Sequence, residues 1–579
     1  MILTKPNKPK VLKTIKTFKQ QKKQVSRRDF FQTILLPRTY TKDLNYEFLG
    51  PSDKGIEPYT GAWTVQQAAH LLRRTTFGPT YQQMKDAVTD GLDATINLLF
   101  STPVAPGVPI NFYYADDPNV PVGQTWLDKP FIDGIEIEQY EYRYRSIRSW
   151  QCAKMIEEGV NINEKMTLFW HNHFVTSDID EPNALYRYIK LLRENAVGNF
   201  KQLTKDISID AAMLFYLNGN ENIVDEPNEN YARELLELFT IGKGPLIGAG
   251  DYTNYTEQDV EALAKIFTGW QVENDWSYTL GESLEVNFYN DIHDTSTKTL
   301  SAHFNNATIA NNGADEYKDV IDVIFQQDEV ARFLVRKLYR WFVYYDINET
   351  VELKVIEPLA QILRNNNYEV QPVLETLLKS EHFFDMLSMG CVIKNPIDFS
   401  LTAIKQLGAI IPTGLEERNR WLETVFYFSA EFGMEYFLPP SVAGWKAYYQ
   451  SPGYYRLWMN PVTFEFRKQV TGGLIYGYEY DGLNYEINPI DFLQSIDNPA
   501  NPNEVITEFT RILLPIPLSA NQKTFLKGVL IPGLPDFEWT TEYNNYLSNP
   551  NDENIKLSLE AKLKNLLYMI SVLPEYHLS

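Results

Sequence analysis

The chain has 579 residues, 44% apolar and 22% charged, which excludes a single small binding module, a collagen-like or coiled-coil architecture and wholesale disorder. Its formal charge of −22 conceals a split: residues 1–28 hold ten Lys or Arg and no acid, so the remainder carries 43 basic against 75 acidic groups, net −32. A body this acidic repels phosphate backbones and anionic lipid surfaces, so nucleic acid is not an expected partner. Cys152 and Cys391 stand far apart without neighbours at metal-ligand spacing, which removes a disulfide framework and a zinc ribbon. No stretch reaches the roughly 18 consecutive apolar residues of a spanning helix.

In chain order, a basic leader comes first, ending in Ser26-Arg27-Arg28-Asp29-Phe30-Phe31-Gln32. That heptad resembles a twin-arginine export signal, which would place the protein in the periplasm or cell envelope. The apolar run behind it stops at Pro37-Arg38 with no small-residue cleavage site, so a cytoplasmic protein with a basic tail is the alternative. Residues 1–61 read as this leader and a linker, largely disordered. Residues 64–75 set Val65, Ala68, Ala69 and Leu72 on one helical face, with His70 off it. Residues 101–134 read as loop. Asp-Glu-Pro-Asn occurs at 180–183 and again at 225–228, each time ahead of a helical pattern, as shared helix-start chemistry would give. Asn228 or Asn230 caps a predicted helix from Tyr231 to Ile241. Residues 243–255 read as loop, and Thr256 with Asp259 forms a capping box for a helix to Phe267. An excursion over 276–304 holds a hairpin-like piece, Leu284–Tyr289, and 324–345 carries the stripe Val330, Phe333, Leu334, Leu338, Trp341 and Phe342. The Asn-Pro-rich stretch 494–503 is the best boundary between a main helical domain, 62–493, and a C-terminal helical segment, 494–579, packed on it or continuing it. The fold class is mostly α, a multi-helix globular body with a small irregular or β-hairpin excursion.

Several phrases together resemble one bacterial family, domain-of-unknown-function family 1800. They are Ala69–Gly78, Met166–Thr176 with Phe169-Trp170-His171-Asn172-His173-Phe174, Asn228–Gly242, Tyr255–Trp270, His293-Asp294 with Lys298, Leu438–Trp445 and Ser571–Tyr576. The resemblance implies a mostly helical, often exported protein, frequently encoded beside a sulfatase-like companion, with no established activity.

The residues that offer chemistry lie in these phrases. His171 and His173, at i and i+2, point about 200° apart on a helix and share a ligand only if the helix ends between them. On a helix through Tyr231, the polar residues Asn230, Glu234 and Glu237 border the apolar face. Glu229 and Glu237 each lie four residues from Arg233, as in an ion-paired strip. The sharper reading turns Asn230 and Glu234 into a cleft, with Arg233 as an anion anchor. His293-Asp294 sits in the excursion, where functional side chains are displayed. His303 is a further imidazole, Arg73 a further binding candidate, and His382 and His577 carry no functional weight. No established catalytic template is complete. Aromatic clusters near 445–458 suit either sugar stacking or core, with core favoured.

Two functions are consistent with this. One is an exported or envelope-associated helical protein that binds or assembles with a partner, the sulfatase-like companion being one candidate. The other is a metal-assisted hydrolase, in which a divalent metal sits on His171, His173 and His293. His171, Glu234, His293 and Asp294 would then do acid/base work, with Asn230, Arg233 and Arg73 binding substrate.

Overall fold

Apolar residues recurring at helical spacing build helices along most of the chain in the computed structural model, and the strands are confined to two-stranded pieces. The structure describes residues 51–103, 107–248, 250–274, 283–445 and 458–579; the basic leader with its twin-arginine-like phrase, and most of the aromatic stretch after Trp445, lie outside them. Among the described residues no helix is long and apolar enough to cross a membrane.

Helix α1, Val65–Thr75, starts where the Thr64 hydroxyl accepts from the Gln66 N–H. The expected face is buried, but so are His70, Arg73 and Arg74, because loops and helices from the far end of the sequence cover the second side of the helix. Helix α2, Glu136–Glu157, runs 22 residues, followed by α3, Asn163–His173, and α4, Pro182–Glu194. The first Asp-Glu-Pro-Asn opens α4 as predicted, with Pro182 in the first turn and Glu181 accepting from the Asn183 N–H. The second does not: Pro227 stays ahead of the next helix, and Asn228 Oδ1 accepts from the Asn230 N–H at 2.9 Å.

That helix departs from the expectation in its geometry. Only Asn230–Glu234, α5, is α-helical; Leu235–Thr240 continues as a π-helix, with Thr240 Oγ1 donating to the Leu235 carbonyl. The wider turn rotates everything after Leu235. Leu236 therefore enters the core, while Leu238, placed on the apolar face by α-periodicity, is half-buried. The next correction is in 243–255, which contains a short hairpin, β1 Leu246–Gly248 with β2 Asp251–Tyr252, rather than loop alone. Helix α6, Glu257–Ile266, has both halves of the Thr256–Asp259 capping box.

The strand-like piece of the excursion is β4, Glu285–Phe288, which pairs antiparallel with β3, Trp270–Glu273, ahead of the predicted excursion, with Trp270 opposite Phe288. A second small ladder, β5 Lys298–Thr299 with β6 Thr308–Ile309, leads into α7, Glu316–Ile324, and α8, Asp328–Phe342. Helix α9, Pro396–Leu407, is capped by Asn395, and α10, Leu415–Glu431, packs along α2. Helix α11, Pro461–Tyr476, precedes the hairpin β7 Tyr478–Tyr480 with β8 Leu483–Tyr485. Beyond 494–503 come α12, Pro502–Leu513, α13, Ala520–Leu530, and α14, Glu553–Ser571; α14 packs on α11 and α13. Residues Pro51–Ser579 thus form one compact unit. Trp126, Trp170, Trp421, Trp445, Trp458 and Trp539 are all fully enclosed, which assigns Trp445 and Trp458 to the core.

Two family-phrase glycines mark backbone crossings. Gly78, φ 65°, follows α1, and a Cβ there would stand 2.6 Å from Thr402 Cα in α9. Gly444, φ 75°, lies against Asn172 at the end of α3, where a Cβ would meet the Asn172 carbonyl oxygen at 2.7 Å.

Candidate functional site

All seven histidines fall in the described residues, and six of them hold a protein partner of their own. His171 and His173 sit on the last turn of α3 and point to opposite sides of it, as the i, i+2 offset demands. His171 Nδ1 meets the Tyr188 hydroxyl of α4 at 2.9 Å, and that hydroxyl donates onward to the Phe174 carbonyl at 2.6 Å. The other ring nitrogen, Nε2, has no partner and is enclosed by Tyr436, Phe437 and Trp445. Complete burial holds this imidazole neutral, with its pKa pushed down to about 3. His173 Nε2 donates to the Phe239 carbonyl in the π-turn at 2.9 Å, and its Nδ1 accepts from Lys337 Nζ of α8 at 3.0 Å. Burial, and then the Lys337 charge, lower its pKa well below the usual range. Lys337 also donates to the Leu238 carbonyl, and lost hydration together with Arg340 pushes its pKa down to about 7.

His293 belongs to a third, separate cluster. Its Nδ1 lies 2.8 Å from the Thr268 carbonyl and its Nε2 lies 3.0 Å from Glu316 Oε2 at the start of α7. The other carboxylate oxygen of Glu316 accepts from Lys298 Nζ at 2.7 Å. All three side chains are at most 1% exposed. Asp294 borders this triad: its carboxylate accepts from Ser296 and lies 3.8 Å from Lys298 Nζ, its N–H donates to Thr268 Oγ1, and its carbonyl accepts from Lys298. Lys298 and Glu316 together fasten β5 and α7 to the His293 loop.

On α5 the polar border resolves into the ion-paired strip. Arg233 takes Glu257 of α6 in two bonds, 2.9 and 2.7 Å, and Glu229 in a third at 2.8 Å. Glu257, then Glu229, raise the guanidinium pKa, and Arg233 in turn lowers that of Glu257. Glu237 pairs with Lys243 and the Tyr255 hydroxyl instead of Arg233, a consequence of the π-turn. Asn230 is exposed, and Glu234 is half-buried with its charge bearing on Tyr216. The Arg233 donors that an anion would need are already occupied.

The remaining imidazoles are similarly engaged. His70 Nε2 donates to the Phe383 carbonyl at 3.0 Å, His303 meets Asp251 at 2.9 Å, and His382 bridges the Lys54 carbonyl and the Tyr339 hydroxyl. His577 is the exception, stacked on Phe399 with neither ring nitrogen partnered. Arg73 spends Nη2 on the carbonyls of Arg511 and Ile512, capping the last turn of α12, and burial pushes its pKa down to about 10.

The structure therefore does not gather His171, His173 and His293 around one point, and among the described residues no group of three or more His, Cys, Asp or Glu is arranged to hold a metal ion. Chemically, the three histidines are buried, and their hydrogen bonds act as welds between α3 and α4, α3 and α8, and the β5 region and α7. Sequence reasoning missed Tyr188, Glu316 and Lys337. Lys337 had a signal, since it occupies the apolar stripe of α8 one step from Leu338 and four before Trp341. Glu316, in the first turn of α7, looks in sequence like an ordinary helix-dipole acid.

A family model described as a protein of unknown function, DUF1800, matches residues 70–578, and the chain belongs to that family. No curated protein and no solved structure matches it.

Proposed function

We propose that this member of the family is an exported, envelope-associated protein whose helical body binds or assembles with a partner protein, the sulfatase-like companion being the first to test. One observation carries the reading over a metal-assisted hydrolase: the polar residues of the most family-specific phrases are consumed in joining helices. His171 goes to Tyr188, His173 to Phe239 and Lys337, His293 to Glu316, and Arg233 to Glu257. A site that processes substrate keeps such groups facing a cleft. Residues used in this way instead hold a rigid scaffold, whose acidic surface is what a partner meets. The Ser26–Gln32 phrase supports export.

The test has two arms. Cell fractionation compares the native chain with an Arg27→Lys, Arg28→Lys variant; the native chain is expected in the envelope fraction and the variant in the cytoplasm, and identical distribution overturns export. Elemental analysis of purified protein is expected to find no stoichiometric transition metal, while the tagged chain retains its companion in pull-down. A stoichiometric metal that disappears in a folded His171→Ala, His293→Ala variant would return the hydrolase reading to first place.

A further inference from the structure

The centre of the protein holds more positive charge than it neutralises. Arg73 and Arg74 on α1, Lys165 on α3, Lys394 just before α9 and Arg467 on α11 are all at least 95% buried. Only Lys165 has an ion pair among the described residues, with Asp398 at 3.1 Å. The others rest mainly on backbone: Arg73 on Arg511 and Ile512, Arg74 on Ser388 and the Cys391 sulfur, Lys394 on Tyr576, and Arg467 on Lys394. Arg73 Nε, Arg74 Nε and Nη1, and Arg467 Nε and Nη1 have no hydrogen-bond partner among the described residues. Buried guanidinium donors left unpaired are costly, and native proteins supply such groups with a counter-charge. Lys394 feels its neighbours: burial first, with the opposing charges of Arg73, Arg467 and Lys165, pushes it down to about 7, while burial alone takes Arg467 down to about 9 against the pull of Asp398.

Of the five, Arg73 lines a cavity that a counter-ion can enter. The cavity, of about 330 Å³, lies between α1, α12 and the turn 514–518 that leads to α13. Its polar lining includes Gln66, Thr507, Arg511 and Lys523, and its lining contains no carboxylate residue. Arg511 is answered by Glu508 at 2.6 Å, while Lys523 makes no ion pair with a described residue. The turn 514–518 and Val65 supply an apolar wall. From the buried Arg73, which has no ion pair among the described residues, the carboxylate-free lining and the apolar wall, we propose that this cavity is a binding site for a small organic oxyanion, its phosphate or carboxylate on Arg73 and Lys523 and its apolar body against the turn 514–518. The volume is that of a small-ligand site, and the planar guanidinium suits either head group. This proposal does not rest on the assembly reading, and its failure would leave that reading untouched.

Titration calorimetry of the full chain with phenyl phosphate, benzoate and phenol, at constant ionic strength, tests it. Phenyl phosphate or benzoate is expected to bind saturably and phenol not at all. Lys523→Glu, at the rim, is expected to weaken binding by about tenfold or more, the loss of one charge-assisted contact, with the circular dichroism spectrum unchanged. Thr507→Phe, which fills the cavity, is expected to abolish it, as is Arg73→Gln. Should Arg73→Gln not fold, the other two variants decide alone. No saturable binding of either oxyanion at millimolar concentration, or binding that Lys523→Glu and Thr507→Phe leave unchanged, overturns the proposal.

Discussion

Lys298→Met severs the most enclosed ion pair in the structure, and its consequences can be worked from the geometry. Glu316 accepts from Lys298 at 2.7 Å and faces His293 at 3.0 Å, with all three side chains cut off from solvent. At an effective dielectric near 20, two unit charges at contact attract by about 4 kcal/mol, and the desolvation cost has already been met by the fold. Removing the ammonium leaves a buried carboxylate with only the imidazole to answer it, and the Asp294 carbonyl loses a donor. The expected loss is about 3–5 kcal/mol, a large share of a typical folding free energy. The double variant Lys298→Met, Glu316→Leu removes both charges and refills the space with apolar atoms. Beyond the Asp294 carbonyl, which both variants leave without Lys298, its residual cost is an unpaired His293 Nε2, about 1–3 kcal/mol. The double variant should therefore be more stable than the single one. Equilibrium urea unfolding measures this, followed by far-UV circular dichroism and tryptophan fluorescence, whose coincidence licenses a two-state free energy. A single variant within about 1 kcal/mol of native, or two substitutions whose costs simply add, would refute the weld.

Two further predictions concern α3. His171 is neutral in the folded state with a pKa of about 3, against about 6.5 when unfolded, so below pH 6.5 the unfolded chain binds more protons. Its contribution is complete above about 6.5 and is lost as pH falls toward 3; His171→Phe should flatten the acid limb of urea stability by up to about 1.4 kcal/mol per pH unit, and coincident slopes would contradict the assignment. Gly444→Ala places a Cβ against the Asn172 carbonyl at a positive φ and disturbs the Trp445 N–H to Asn172 Oδ1 bond of 2.8 Å. A loss of about 2 kcal/mol or more is expected by the same unfolding measurement, and a neutral effect would show that the α3–Trp445 crossing tolerates separation.

How far the sequence reached depends on whether the deciding interaction is local. The cap of α6 was legible because Thr256 and Asp259 settle it between themselves, and α1, α6 and α8 follow from spacing alone. The π-turn after Glu234 was not, because it inserts a residue into a pattern that α-periodicity describes equally well. The second Asp-Glu-Pro-Asn failed for a related reason: its Asn228 N–H is taken into a turn by Asn222, which lies outside the tetrapeptide and whose Oδ1 accepts it at 2.8 Å. His70 was misjudged because its burial comes from Phe383, 313 residues away.

The same distinction explains why the candidate site dissolved into welds. A motif read along the chain groups residues by proximity in sequence, whereas each histidine here is answered across it: His173 by Lys337, His293 by Glu316, His171 by Tyr188 and Trp445. Spacing does carry one firm inference, that His171 and His173 diverge, and the structure realises it by giving each a different neighbour helix. What spacing has no means to show is where charge goes unanswered. Arg73 and Arg74 look like any basic pair at the end of an amphipathic helix, where the dipole welcomes them. Only the assembled fold brings Arg73 beside Lys394 and Arg74 beside Lys165, with Asp398 facing Lys165, Lys394 and Arg467. A chain whose overall charge is −22 thus encloses a local cluster of Lys and Arg around the carboxylate of Asp398, and that imbalance, absent from any linear count, is where a ligand of this protein is best sought.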